Sequence, residues 1–176
     1  MELISRMMDG SIPYDVEGRL EPVSAGPGAK QDDKIERLKE VPLFEGCSQR
    51  QLRSVAKIAR VFDVAADTVL TRAGEPGDEF FLIIDGTARV EVSAEKQVPI
   101  HPGEFFGEMS LLDGGPRSAT VVAATPVRLL VISRRHFSVL IKEVPGLTQT
   151  LLITLSRRVR QAEERAERLR APSTGL

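Results

Sequence analysis

The chain has 176 residues, of which 41% are apolar, and a formal net charge of -1 at pH 7. This length supports one substantial core with segments outside it, and the near-zero charge gives no overall attraction for nucleic acid or an anionic membrane surface. The single cysteine, Cys47, excludes an intrachain disulfide framework and a cysteine-cluster metal site. No apolar run approaches the roughly 20 residues of a membrane-spanning helix, and the acidic start is unlike a secretory signal. We therefore expect a cytoplasmic protein without membrane contact.

Residues 1–31 are predicted to be a tail or linker. Glycine, proline and serine recur there without a sustained helical or strand period. The GPGAK stretch within it lacks the spacing of a phosphate-binding loop.

Residues 32–60 are predicted to form N-terminal helices. Asp33 to Glu40 supports a short helix, and a second helix begins after Ser48. Gln51 stands three residues after Ser48, so the two side chains can form a capping box.

Residues 61–133 are predicted to form an antiparallel β-roll or jelly-roll barrel. Short segments rich in β-branched or aromatic residues alternate there with turn-forming ones, which is typical of seven or eight strands in such a fold. Turn glycines should take positive φ angles or allow close chain approach. These are Gly77, Gly86, Gly103 and Gly107.

Residues 134–170 are predicted to be helical, and residues 171–176 a tail. Ser133 is the expected N-cap of the first helix, and Pro145 should interrupt it. The final helix carries apolar residues at alternating intervals of three and four, which is a coiled-coil seam of about two and a half heptads. The seam consists of Leu152, Leu155, Val159, Ala162, Ala166 and Leu169. The predicted fold class is therefore mainly β, with a roll flanked by N-terminal helices and a long C-terminal helix.

Two charges, Glu108 and Arg117, stand in the otherwise apolar or turn-forming stretch 105–121. An exposed salt bridge would explain them, although such pairs contribute only about 0–1 kcal/mol. Alternatively, a short helix near Glu108 would point free N–H groups at an anion, and the arginine fork suits two phosphate oxygens. A carboxylate accepts from a sugar hydroxyl and repels a second phosphate. This pair of charges would select a ligand with one phosphate beside a free hydroxyl.

The stretch FGEMSLLDGGPRSATV closely resembles the phosphate-binding cassette of cyclic nucleotide-binding domains. The upstream blocks GEPGDEFFLIIDGTARV and PGEFFGE are similar to that family's strand and turn blocks, in the same order. The resemblance covers roughly residues 43–144. It implies that Glu108 binds the ribose 2′-hydroxyl and Arg117 the cyclic phosphate. The ligand-binding residues it implies are Phe106, Gly107, Glu108, Met109, Ser110, Pro116, Arg117, Ser118 and Ala119.

The base is read in this family partly at the position held here by Ser118. By the resemblance, cGMP-selective eukaryotic relatives carry a threonine there that contacts guanine, whereas bacterial cAMP receptors carry a serine that contacts the phosphate. The resemblance therefore favours cAMP over cGMP.

The output predicted from this resemblance is movement of residues 134–170 when ligand binds. We expect a stand-alone sensor subunit that reports to an effector protein, with the seam at 148–170 offering a homodimer interface. The alternative is a protein or nucleic-acid adaptor with a degenerate fold that acts through the C-terminal helix. Six arginines against three glutamates in residues 157–170 give an excess of only three charges, which disfavours nucleic acid.

Catalysis is not expected. Jelly-roll enzymes that hold a metal need clustered histidines and carboxylates, but His101 and His136 are isolated in the sequence. No nucleophile motif such as GxSxG is present. We therefore predict neither a catalytic site, nor a metal, nor a cofactor beyond the nucleotide ligand.

Overall fold

A computed structural model describes residues 31–92 and 97–170. The predicted tail at residues 171–176 and nearly all of that at residues 1–31 lie outside this part. The helices are α1 (Gln31–Lys39), a 3₁₀ turn (Pro42–Phe44), α2 (Gln49–Ile58), α3 (Glu108–Asp113), α4 (Arg134–Glu143) and α5 (Leu147–Arg170). The strands are β1 (Arg60–Val64), β2 (Val69–Thr71), β3 (Glu79–Asp85), β4 (Ala88–Glu91), β5 (Gln97–Ile100), β6 (Phe105–Phe106), β7 (Thr120–Ala123) and β8 (Val127–Ser133).

The eight strands form two antiparallel four-stranded sheets. Their strand orders are β1-β8-β3-β6 and β2-β7-β4-β5. This arrangement, with helices on its flanks, confirms the predicted β-roll. The two-residue strand β6 was not predicted, because a run of two phenylalanines is too short to show a strand period.

Strand β3 is the centre of the fold because both of its faces are buried. Phe81 and Ile83 point into the roll interior, whereas Phe80 and Leu82 pack against the helices. All four side chains are fully buried. The period of two in a strand makes this possible, and it fixes the register of β3 between the two apolar layers.

The helices pack together on the outer face of the β3–β8 sheet. α1, α2, α4 and the first turns of α5 contribute to one apolar cluster with Phe80 of β3 and Phe105 of β6. The Phe80 ring lies 5.4 Å from that of Phe105 and 5.5 Å from that of Phe137, measured between centroids. α5 joins this cluster through Leu147 and Leu151.

The helix boundaries follow the capping and breaking residues. Ser48 caps α2 through the predicted capping box, with the Gln51 N–H donating to Ser48 Oγ and the Ser48 N–H to Gln51 Oε1. Pro145 separates α4 from α5, as expected. Ser133 is the N-cap of α4 by position, but its hydroxyl lies 3.2 Å from His136 Nδ1 and makes no capping bond to the backbone.

None of the described helices is long and apolar enough to cross a membrane.

Replacing Ser48 with alanine should lower the free energy of unfolding by about 1 kcal/mol, because the capping bond to the Gln51 N–H is lost. Urea denaturation followed by circular dichroism measures the change. Ser138→Ala, at an exposed position inside α4, is the matched control and should be neutral or slightly stabilising. Equal stability of the two variants would contradict the role given to the capping box.

Candidate ligand-binding site

The candidate site begins where β6 ends and α3 starts. Phe106 pairs with Phe81 of β3, and their rings stack with centroids 4.8 Å apart. Gly107 follows with a φ of 83°. A side chain there would be strained, and its Cβ would also lie 2.7 Å from the carbonyl oxygen of Glu79. Glycine therefore allows the chain to turn into α3 directly against the start of β3.

Glu108, the first residue of α3, is a fully buried carboxylate. Its Oε1 accepts a hydrogen bond from Arg158 Nη1 of α5, 50 residues further along the chain. Its Oε2 is buried and has no hydrogen-bond partner among the described residues. A buried acceptor without a donor lowers stability, so this oxygen is suited to accept a hydrogen bond from a hydroxyl group of a ligand.

Arg117 lies in the loop before β7 and is only 6% exposed. Its Nη1 donates to the carbonyl oxygens of Glu79 at 2.8 Å and Gly107 at 3.0 Å. Its guanidinium also lies over the Phe81 ring, 5.4 Å from the centroid. These contacts hold the cation beside the first turn of α3, next to Glu108.

Backbone hydrogen bonds also fix the position of Arg117. Its N–H donates to the Glu75 carbonyl, and its own carbonyl accepts from the Gly74 N–H, both at 2.8 Å. The loop before β7 is thus joined to the β2–β3 loop. Gly77 lies in that second loop, and a Cβ there would sit 1.9 Å from Arg117 Nε. The guanidinium therefore occupies space that a side chain at position 77 would fill.

Glu79 is a second carboxylate at this site. Its Oε2 accepts from Arg117 Nη2 at 3.2 Å, and its side chain is 19% exposed. Burial raises the pKa of the Glu79 carboxyl above its ordinary value, although Arg117 acts in the opposite direction. The burial effect is the larger of the two, so the pKa stays above its ordinary value in spite of the ion pair.

Arg134 connects the site to α4. Its Nε donates to Asp78 Oδ1 at 2.7 Å, and its Nη2 donates to the carbonyl oxygens of Gly77 at 3.2 Å and Ser110 at 3.0 Å. One side chain at the start of α4 therefore contacts both the β2–β3 loop and α3.

Among the predicted ligand-binding residues, Phe106 and Arg117 contact β3, Gly107 contacts Arg117, and the Ala119 carbonyl accepts from Thr71 Oγ1 of β2; the exposure of the whole set differs. Phe106, Glu108, Ser110 and Arg117 are buried, and Gly107, Met109 and Ala119 are half-buried, whereas Pro116 and Ser118 are exposed.

Sequence reasoning did not assign a role at the site to Glu79, Arg134 or Arg158. A signal existed only for Glu79, since an acidic residue begins the otherwise apolar run EFFLII. Arg134 and Arg158 lie among other arginines and carry no distinguishing pattern.

Within residues 31–92 and 97–170, no group of three His, Cys, Asp or Glu side chains is placed to hold a metal ion.

Comparison with known proteins gives a family match for the region that holds this site. Residues 61–144 match the family model described as cyclic nucleotide-binding domain. A cyclic nucleotide-gated potassium channel of Mesorhizobium japonicum is 40% identical over 109 residues, which are 62% of this chain and 30% of the channel. The chain thus spans less than a third of the length of that relative.

Solved structures give the same fold. The catabolite activator protein of Thermus thermophilus aligns with a TM-score of 0.61 and 29% identity, over 73% of this chain and 62% of that protein. The structure described as Sp-2Cl-cAMPS bound to PKAR CBD2 aligns with a TM-score of 0.62 and 26% identity, over 85% and 98% of the two chains. Residues 61–144 of this chain thus match the cyclic nucleotide-binding domain family in sequence, and the solved neighbours share its fold.

Proposed function

We propose that this chain is a sensor module that binds a cyclic nucleotide, cAMP in preference to cGMP, and has no catalytic activity of its own. Arg117 binds the cyclic phosphate, and Glu108 accepts a hydrogen bond from the ribose 2′-hydroxyl. The remaining contacts come from the other residues implied by the cassette, namely Phe106, Gly107, Met109, Ser110, Pro116, Ser118 and Ala119.

The observation that carries this proposal is that Glu108 and Arg117 are both buried on either side of Gly107, although each is paired with another residue. Glu108 has an oxygen that lacks a donor, and the cation of Arg117 is fixed to the carbonyl of Gly107, the residue before Glu108. A cyclic nucleotide supplies a hydroxyl donor and a singly charged phosphate on adjacent parts of one ring system. Each group has a complementary partner here, because a carboxylate only accepts and a guanidinium only donates.

The preference for cAMP rests on Ser118 and on the family. Ser118 is exposed, directly after Arg117, where its hydroxyl can contact the phosphate. Support also comes from the solved neighbour whose printed description has a cAMP analogue bound to it. Titrating both nucleotides side by side decides between the two bases.

The output of the sensor is proposed to pass through α5. Arg158 of that helix contacts Glu108, so a ligand on the free oxygen of Glu108 changes the surroundings of the ion pair. Such a ligand shifts the helix only if it binds the two helix positions with different affinity. A direct contact between α5 and the ribose-binding carboxylate gives a physical basis for that difference.

The surface that passes the signal on is proposed to be the exposed apolar part of α5 between Leu152 and Val159. Leu152, Ile153 and Val159 are 62%, 44% and 55% exposed, whereas the neighbouring Leu151 is buried. An exposed apolar stripe of this kind is suited to bind an effector protein or a second copy of the chain. The adaptor alternative uses the same stripe without a ligand, so nucleotide binding separates the two.

Arg117→Lys should weaken cyclic nucleotide binding about 10- to 100-fold, because lysine keeps the charge but loses the fork that binds two phosphate oxygens. Arg117→Ala should weaken it further. Isothermal titration of cAMP and cGMP into each protein measures the change, with thermal unfolding as the check on folding. Arg135→Ala, which removes the same charge from an exposed site on α4, should bind like the wild type.

Binding that is unchanged in both Arg117 variants would contradict the assignment of the phosphate to this residue. No binding of either nucleotide to the wild type, and no shift of its unfolding temperature, would instead favour the adaptor.

Arg158→Ala should uncouple α5 from the ligand. In the wild type, cyclic nucleotide should slow amide hydrogen exchange in residues 147–170, because the ligand excludes water from the Glu108–Arg158 pair and strengthens it. The variant should show faster exchange without ligand and little slowing with it. Arg157→Ala is the matched control, since its exposed side chain neighbours Arg158 on the same helix. Equal slowing in both variants would show that α5 responds by another contact.

A further inference from the structure

Glu79 holds Arg117 through two separate groups. Its backbone oxygen and its carboxylate accept from Nη1 and Nη2 of the same guanidinium, at 2.8 Å and 3.2 Å. The carbonyl of Gly107 binds Nη1 as well. The guanidinium is thus fixed against the start of β3, and it has little freedom to swing away from the carboxylate toward another anion.

We propose that the Glu79 carboxylate competes with the ligand's phosphate for Arg117 and thereby lowers the affinity for cyclic nucleotides while it is ionised. This inference rests on the proposed function. In this proposal Glu79 opposes cyclic nucleotide binding, whereas Arg117 and Glu108 promote it.

The charges at the site lead to this conclusion. Without ligand, the buried cation of Arg117 has the Glu79 carboxylate within hydrogen-bond distance. A cyclic phosphate on the same guanidinium adds a second anion in a poorly hydrated place, where like charges repel strongly. Complex formation therefore requires Glu79 to move into solvent, which its partly exposed side chain allows, or to take up a proton.

The charged groups around Glu79 set the direction of a pH effect. Arg117 faces it from the loop before β7, and Asp78 precedes it with its own charge held by Arg134 of α4. From β8, the residue paired with Glu79 is Ser133, which carries no charge. Burial raises the pKa of Glu79 above its ordinary value, and Arg117 together with a backbone hydrogen bond from Asp78 only partly offsets this, while the charge of Asp78 adds a smaller upward effect.

A bound phosphate adds negative charge and raises the pKa of Glu79 further. The complex then holds more protons than the free protein at any pH between the two pKa values. Affinity should rise as the pH falls through this window and stay constant above and below it. The cyclic phosphate itself keeps its single charge throughout.

The test is isothermal titration of cAMP and cGMP into the wild type and Glu79→Gln, at about pH 8 and about pH 5.5. Glutamine keeps the size of the side chain and its acceptor oxygen but removes the charge. At the higher pH, Glu79→Gln should bind about three- to tenfold more tightly than the wild type. At the lower pH the difference should shrink, because the wild-type carboxyl is then protonated for more of the time.

Two further variants support the comparison. Glu45→Gln removes the same charge from an exposed side chain after the 3₁₀ turn, away from the site, and it should follow the wild type at both pH values. Glu79→Thr gives a second neutral residue with good strand propensity, in case glutamine disturbs folding. Thermal unfolding of each variant without ligand checks that it is folded.

Equal or weaker binding by folded Glu79 variants at the higher pH would overturn the inference. Glu79 would then position Arg117 for the phosphate, and the proposed function would stand. Tighter binding with the same pH dependence as the wild type would also contradict the account, since the titrating group would lie elsewhere. Binding of neither nucleotide to any of these proteins would overturn both the inference and the proposed function.

Discussion

The site depends on the hydrogen bonds that Arg117 donates to two backbone carbonyl groups. The carbonyls of Glu79 and Gly107 belong to β3 and to the turn before α3, so a single Nη1 group ties the sheet to the cassette helix. The space for this contact exists because Gly77 and Gly107 have no side chains. A cation so buried is stable only where oxygen atoms surround it. The geometry of the loops on both sides follows from that requirement.

The same arrangement places the site in contact with the helices. Glu108 is hydrogen-bonded to Arg158 of α5. Arg134 of α4 is hydrogen-bonded to α3 and also to the β2–β3 loop. Both links are hydrogen-bonded charges, whereas α5 is joined to the core by the buried Leu147 and Leu151 of its first turns. The N-terminal part of α5 is therefore anchored by apolar packing. Its later turns are joined to the roll by a polar contact at the site, which a ligand can alter without disturbing the core.

The sequence predicted the roll and the capping box of α2, and it singled out Glu108 and Arg117 as candidate site residues, because each leaves a local pattern. Strand periods, cap spacings and a cassette motif all lie within a few tens of residues. The contact between Glu108 and Arg158 joins residues 50 positions apart and depends on how α5 packs, so no local pattern reveals it. Glu79 was missed for a different reason. Its charge is visible at the start of an apolar strand, but its effect follows from the direction in which Arg117 points.

The central claim is that Glu108 accepts a hydrogen bond from the ribose 2′-hydroxyl while Arg117 binds the phosphate. The most direct test is a double-mutant cycle that combines Glu108→Gln with 2′-deoxy-cAMP, measured by isothermal titration. Loss of the hydroxyl should weaken binding to the wild type about tenfold, in keeping with one hydrogen bond to a charged acceptor. Its loss should matter much less in the variant, because the charged acceptor is gone. An equal loss in both proteins would show that the hydroxyl binds elsewhere and would contradict the account.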